Sequence, residues 1–93
     1  MDDIEFEWDV HKARASRRKH GVTFDEASTV FGDRLARLLR DTSLAAESRD
    51  VIIGLSSTGR LLVVVFSERR RIRIISARRA TPFERHDYQE AGR

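Results

Sequence analysis

Residues 61–66 read Leu-Leu-Val-Val-Val-Phe, an unbroken apolar run in a chain of 93 residues of which 35% are charged. A strand with one wet face alternates apolar and polar side chains, so a run without alternation predicts a strand covered on both sides. The fold must then carry layers on both faces of a sheet, with residues 61–66 at its centre. The turn Ser57-Thr58-Gly59 stands just before the run, and residues 51–56 precede the turn, predicting a hairpin. After it, Glu68-Arg69-Arg70 turns the chain into a last strand over residues 71–77, where Ile72 and Ile74 alternate with Arg71 and Arg73.

The helices announce themselves by their caps. Asp9 stands before a basic helix over residues 10–19, which Gly21 stops. That helix has a thin apolar face, Val10 and Ala13, so tertiary contacts must hold it. Thr23 and Glu26 read as a capping box for a second helix, with Val22 and Ala27 as its hydrophobic staple and Phe24, Ala27 and Phe31 on one face. Gly32-Asp33 ends it. Thr81, Pro82 and Glu84 predict a third helix over residues 82–91. Ile4, Phe6 and Trp8 alternate with acids, giving a strand over residues 3–8, and residues 35–39 are assigned to a strand because a break precedes them. Residues 41–50 read as a polar loop. The sum is a single α+β domain over residues 1–93, an antiparallel sheet built on a C-terminal strand meander with helices packed on it.

Composition narrows the function. The chain has no cysteine, which removes disulfides and thiolate metal sites, and its three histidines, His11, His20 and His86, have no ligand spacing. It opens Met-Asp-Asp-Ile-Glu, unlike a secretory signal, and its longest apolar run is too short for a membrane span. A soluble, cytoplasmic protein with no cofactor and no membrane is expected. Net charge is only +3, but the charges come in blocks. Asp2, Asp3, Glu5, Glu7 and Asp9 open the chain; Lys12, Arg14, Arg17, Arg18 and Lys19 follow without an acid; six arginines fall in residues 69–79. Such blocks point to a polyanion, or to an acidic protein partner.

The residues taken together resemble the BrnT family, toxins of bacterial type II toxin–antitoxin pairs. The matching pieces are Phe6-Glu-Trp-Asp9, Lys12, Lys19-His-Gly-Val22 with Phe24, Glu26-Ala27, Phe31 and Asp33. The second half adds Glu47 and Arg49, Ile53-Gly-Leu-Ser-Ser57, residues 59–65, and residues 72–81 with Glu84-Arg85. The resemblance implies a compact ribonuclease with a RelE-like fold. It also implies a cognate antitoxin with a ribbon-helix-helix DNA-binding part, and binding of operator DNA by the toxin–antitoxin complex. Two positions depart from the family pattern: Val10 stands where proline is usual, and Ser16 where asparagine is usual.

RNA is cut without a metal when its own 2′-hydroxyl attacks the adjacent phosphorus. A base takes the hydroxyl proton, an acid protonates the leaving oxygen, and cations stabilise the phosphorane. Arg78, placed at the end of a strand just before a helix, is assigned to charge stabilisation. Arg79 faces the other way by alternation and is assigned to backbone phosphates or the antitoxin. Arg49 matches the family's arginine and is expected to clamp the phosphate from a neighbouring strand. Glu47 is a candidate base or the ion-pair partner of Arg49. His20 is a candidate proton shuttle, or a cap at the end of its helix. Lys12, Lys19 and Arg60 are assigned to holding RNA. Trp8 and Tyr88 are assigned to packing. The alternative is a module that binds nucleic acid or the antitoxin without catalysis.

Overall fold

The structure is a computed structural model and describes residues 4–41 and 49–91. The chain runs β1 (Phe6–Trp8), α1 (Val10–His20), α2 (Phe24–Thr29) with a 3-10 turn (Val30–Gly32), β2 (Arg37–Asp41), β3 (Arg49–Leu55), β4 (Leu61–Glu68), β5 (Ile72–Arg79) and α3 (Pro82–Ala91). The five strands form one sheet in the order β1-β5-β4-β3-β2.

β4 is the middle strand, as its unbroken apolar run requires. Leu62, Val64 and Phe66 point to the face that carries α1 and α2, where Val22, Phe24, Ala27 and Val30 close over them. Leu61 and Val63 point to the other face, under Tyr88 of α3. The sheet is thus covered on both sides, with the larger core on the α1–α2 side. Phe31 ties that core to the edge strand, with its ring 5.2 Å from Phe6 and 4.9 Å from Phe66. Trp8 lies edge-on to Phe24 at 6.0 Å, a packing role.

The expected meander β3-β4-β5 is antiparallel throughout, but β1 joins β5 in parallel, with Phe6 opposite Ile72 and Trp8 opposite Ile74. Alternation within residues 3–8 reports a half-covered strand but not its direction. β1 is also short, so it covers only Ile72–Ile74 of the outer edge of β5. Beyond that point β5 is bulged: Val65 faces Ser76 while Phe66 faces Ile74, leaving Ile75 as the extra residue. The strand then runs on through Arg78 and Arg79, two residues past its expected end. Likewise β3 begins at Arg49, inside the stretch expected to be loop.

Capping explains the helix ends. The Asp9 carboxylate accepts the N–H groups of His11 and Lys12 at 2.7 and 3.2 Å, and those bonds lower its pKa. Gly21, at φ 67°, closes α1 in the left-handed conformation. α3 carries a full capping box: the Glu84 N–H donates to Thr81 Oγ1 at 3.2 Å, and the Thr81 N–H to Glu84 Oε1 at 2.8 Å. At α2 only half the box forms. Thr23 Oγ1 accepts the Glu26 N–H at 3.0 Å, while the Glu26 carboxylate is drawn away to Arg60. Among the described residues no helix is long and apolar enough to cross a membrane.

Candidate functional site

Past Ile74 no strand among the described residues pairs with the outer edge of β5, and α1 lies there instead. Its apolar face is too thin to hold it, and a buried serine does much of the work. Ser16 Oγ stands 3.0 Å from the carbonyl oxygens of both Val22 and Ala77, so one hydroxyl links α1 to its own exit loop and to the open edge of β5. The carbonyl of Ala77 is thereby kept from being an orphan acceptor.

Between α1 and the bulge is a cleft of about 200 Å³. Ile75, Ser76 and Ala77 form its β5 side; Lys12, Lys19 and His20 line its helical side. Lys12 and Lys19 are two turns apart on one face of α1, as the seven-residue spacing requires. His20 closes the helix, at the electronegative end of its dipole. Three residues singled out from the sequence thus meet at one place. Two cations and an imidazole around a small hollow can hold a phosphate and move a proton beside it.

The two arginines of β5 leave from opposite faces, as alternation requires. Arg79 lies opposite Leu62 and so starts from the α1–α2 side; it is exposed. Arg78 lies opposite Val63, on the α3 side, and meets Glu84 end-on, with Nη1–Oε1 and Nη2–Oε2 both 2.8 Å. Nη1 also donates to the Arg79 carbonyl at 3.2 Å. A guanidinium has five N–H donors, and these contacts use three. The Nε–H and the outer Nη2–H form a second fork with no partner among the described residues. The pair drives the Glu84 carboxyl down to about 2, chiefly through the Arg78 hydrogen bonds, and raises the pKa of Arg78.

Arg49 does not sit on a strand next to β5. β4 intervenes, and Arg49 lies four residues before Ile53, the β3 residue in the row of Val63 and Arg78. The two arginines therefore leave the backbone roughly 16 Å apart by ordinary strand dimensions. Glu47 lies outside the described residues. Arg60 is committed to a network: Nε donates to Glu26 Oε2 at 2.9 Å, Nη2 pairs with Oε1 and donates to the Gly21 carbonyl at 3.0 Å. The hydroxyls of Ser56 and Thr58 each reach Glu26 Oε2 at 2.7 Å. The Arg60 hydrogen bonds, helped by those hydroxyls, hold Glu26 at about 2.

In the sequence Ser16 stood out only as a departure from the family pattern, and neither the bulge nor Glu84 as the anchor of Arg78 was picked out. The capping-box pattern placed Glu84 at the third helix but could not show that Arg78 points toward it. A bulge has no signal in one sequence beyond an apolar residue out of phase, here Ile75.

The family model described as the ribonuclease toxin BrnT of type II toxin–antitoxin systems matches residues 8–84. The fold is similar to the 1.1 Å crystal structure of the Brucella abortus ribonuclease toxin BrnT, with a TM-score of 0.64 and 22% identity. That likeness covers 85% of this chain and 99% of the other. No curated protein matches the chain significantly.

Proposed function

Because the chain belongs to the BrnT family of ribonuclease toxins of type II toxin–antitoxin systems, we propose that it cleaves RNA without a metal, at the cleft between α1 and β5. The observation that carries the reading is the convergence of Lys12, Lys19 and His20 on that cleft.

In this reaction the O2′ proton goes to a base, O2′ bonds to phosphorus, the P–O5′ bond breaks, and an acid gives O5′ its proton. The products are a 2′,3′-cyclic phosphate and a 5′-hydroxyl. Lys12 and Lys19 hold the backbone phosphates, and His20 carries a proton, since imidazole exchanges protons near neutral pH. Arg78 follows the cleft residue Ala77 but leaves β5 on the α3 side, held by Glu84; in this reading its unused Nε–Nη2 fork meets, round the open strand edge, the charge that builds on the phosphoryl oxygens. Arg79 contacts a flanking phosphate or the antitoxin. Arg49, at the start of β3, is a phosphate contact, and Glu47 is a candidate base or the ion-pair partner of Arg49. Arg60 is assigned to holding the hairpin turn to α2 rather than to the RNA, because three of its five N–H donors are engaged by Glu26 and Gly21 and its charge is matched by Glu26.

Family membership gives the protein an antitoxin partner and an RNA substrate. In this reading the antitoxin is of the ribbon-helix-helix type, covers the basic cleft, and carries the complex to operator DNA.

The test uses a synthetic RNA and the same RNA with one 2′-deoxy nucleotide at the mapped cut. Cleavage of the first, with a cyclic phosphate seen by mass spectrometry, and survival of the second support the reading. Equal cleavage of both overturns the 2′-hydroxyl mechanism. Binding without cleavage of either supports a non-catalytic module.

A further inference from the structure

The far end of β5 carries two arginines that the cleft does not use. The chain turns from β4 to β5 through Arg69, Arg70 and Arg71, with the Arg69 N–H donating to the Arg71 carbonyl at 3.0 Å. Arg71 is matched by Glu5 at 3.0 Å across the parallel β1–β5 pair, and Arg73 by Glu7 at 3.0 Å. Arg69 and Arg70 are exposed and have no side-chain hydrogen bond or ion pair among the described residues. They line an open recess of about 590 Å³ whose other walls are Glu5, Glu7 and Arg71. A second hollow of about 310 Å³, with Ile4, Glu68 and Ile72, lies on the same two arginines. The acids of the recess are matched by Arg71 and Arg73, so the local field is set by Arg69 and Arg70 against the one carboxylate of Glu68, which leaves it positive.

The position of this turn matters as much as its charge. β1 and β5 run parallel, so the edge of the sheet presents the recess first, from Glu5 to Glu7, and then the cleft, from Ile75 onward. Ser76 lies six positions after Arg70, five of them in β5, so the two are at most roughly 20 Å apart. That distance accommodates several nucleotides of extended single strand but not one.

We propose that the β4–β5 turn is a second phosphate-binding position, through which Arg69 and Arg70 hold single-stranded RNA running along the β1 edge into the cleft. The proposal rests on the RNA reading above for the identity of its ligand, and it adds a length requirement: a short oligonucleotide fills the cleft alone, a longer one reaches both positions.

The test measures binding rather than cleavage, so the two readings fail separately. Non-cleavable 2′-O-methyl RNAs of roughly 4 and roughly 12 nucleotides are titrated over a range of salt against three proteins. These are the parent, the Arg69→Ala/Arg70→Ala variant, and an Arg34→Ala/Arg85→Ala variant that loses the same charge elsewhere. Each phosphate contact on a single strand contributes about 0.7 to the slope of log K against log salt, so the first variant loses about 1.4 on the longer RNA. It binds the shorter RNA as the parent does. The charge-matched variant stays close to the parent on both. Equal slopes for the two variants on the longer RNA overturn the proposal, as does a parent that binds neither RNA. Circular dichroism confirms that each variant is folded.

Discussion

Glu84 grips the end of the Arg78 guanidinium through both carboxylate oxygens at 2.8 Å, and its Oε1 also accepts the N–H of Thr81 that starts α3. One carboxylate thus joins the last strand to the last helix and fixes the plane of an arginine whose remaining fork faces outward. If Arg78 stabilises charge as proposed, Glu84 should act as its positioning residue, and that role separates from simple capping. Glu84→Ala and Thr81→Ala each remove part of the capping box and should each lower stability by about 1 kcal/mol. Only Glu84→Ala releases Arg78, so only it should lower the RNA cleavage rate, by about tenfold or more. Equal rate losses in the two variants, measured under single turnover, contradict the positioning role.

Acid should weaken the fold through two glutamates. Glu26 and Glu84 are held at about 2, against an ordinary value of 4.5, chiefly by hydrogen bonds from Arg60 and Arg78. A folded-state pKa below the unfolded one means stability that is fully present above about pH 4.5 and lost as the pH falls toward 2. The urea midpoint should fall between roughly pH 6 and pH 3, and Glu26→Gln should shrink that fall. A Glu26→Gln profile that parallels the parent shows that its pair with Arg60 contributes nothing.

Tyr88 should prove to be a structural hydroxyl. It donates to Asp33 Oδ2 at 2.6 Å, and burial together with that carboxylate pushes its phenol up to about 12. Asp33 also accepts the N–H groups of Leu35 at 2.9 Å and Leu55 at 2.8 Å, so the bond ties α3 to the turn before β2 and to β3. Burial pushes the Asp33 pKa up, but these hydrogen bonds outweigh it and leave the value lowered. Tyr88→Phe should lose about 1.5–3 kcal/mol in chemical denaturation and leave RNA affinity unchanged.

Gly54 should resist any side chain. A Cβ there would lie 2.9 Å from Val30 Cγ1, 3.0 Å from Ala36 Cβ and 3.1 Å from Asp33 Oδ2. Gly54→Ala should cost about 1–3 kcal/mol by overpacking. Gly32→Ala, where a Cβ meets nothing within 4 Å, is the control and should stay within about 0.5 kcal/mol.

Much of this fold was legible because its signals are local. The run at residues 61–66, the caps at Asp9, Thr81 and Gly21, and the turn at residues 57–59 each report a backbone requirement within a few residues. The direction of β1 was not legible, since period-two alternation is the same for either direction of pairing. Nor was the bulge at Ile75, which depends on how β5 meets β4. The site follows the same division. Lys12 and Lys19 were readable together because helical spacing relates them, and His20 singly as a shuttle or cap, but that the three line one cleft was not readable. The pairings Arg78–Glu84 and Arg60–Glu26 were not, because the capping pattern had already given each glutamate a role, and charge alone does not choose between a partner in the chain and a phosphate. Arg49 was misplaced relative to β5 because strand order is set by the whole sheet.

The most direct test of the central claim is cleavage of a bare RNA by the purified protein in EDTA, set beside a Lys12→Ala/Lys19→Ala variant and a His20→Gln variant of confirmed fold. The parent should cut, the lysine variant should bind RNA more weakly and lose salt dependence, and the histidine variant should bind but cut at least about a hundredfold more slowly. Parent-like cleavage by both variants would contradict the α1–β5 cleft as the site, and loss of parental cleavage on adding EDTA would contradict the metal-free mechanism.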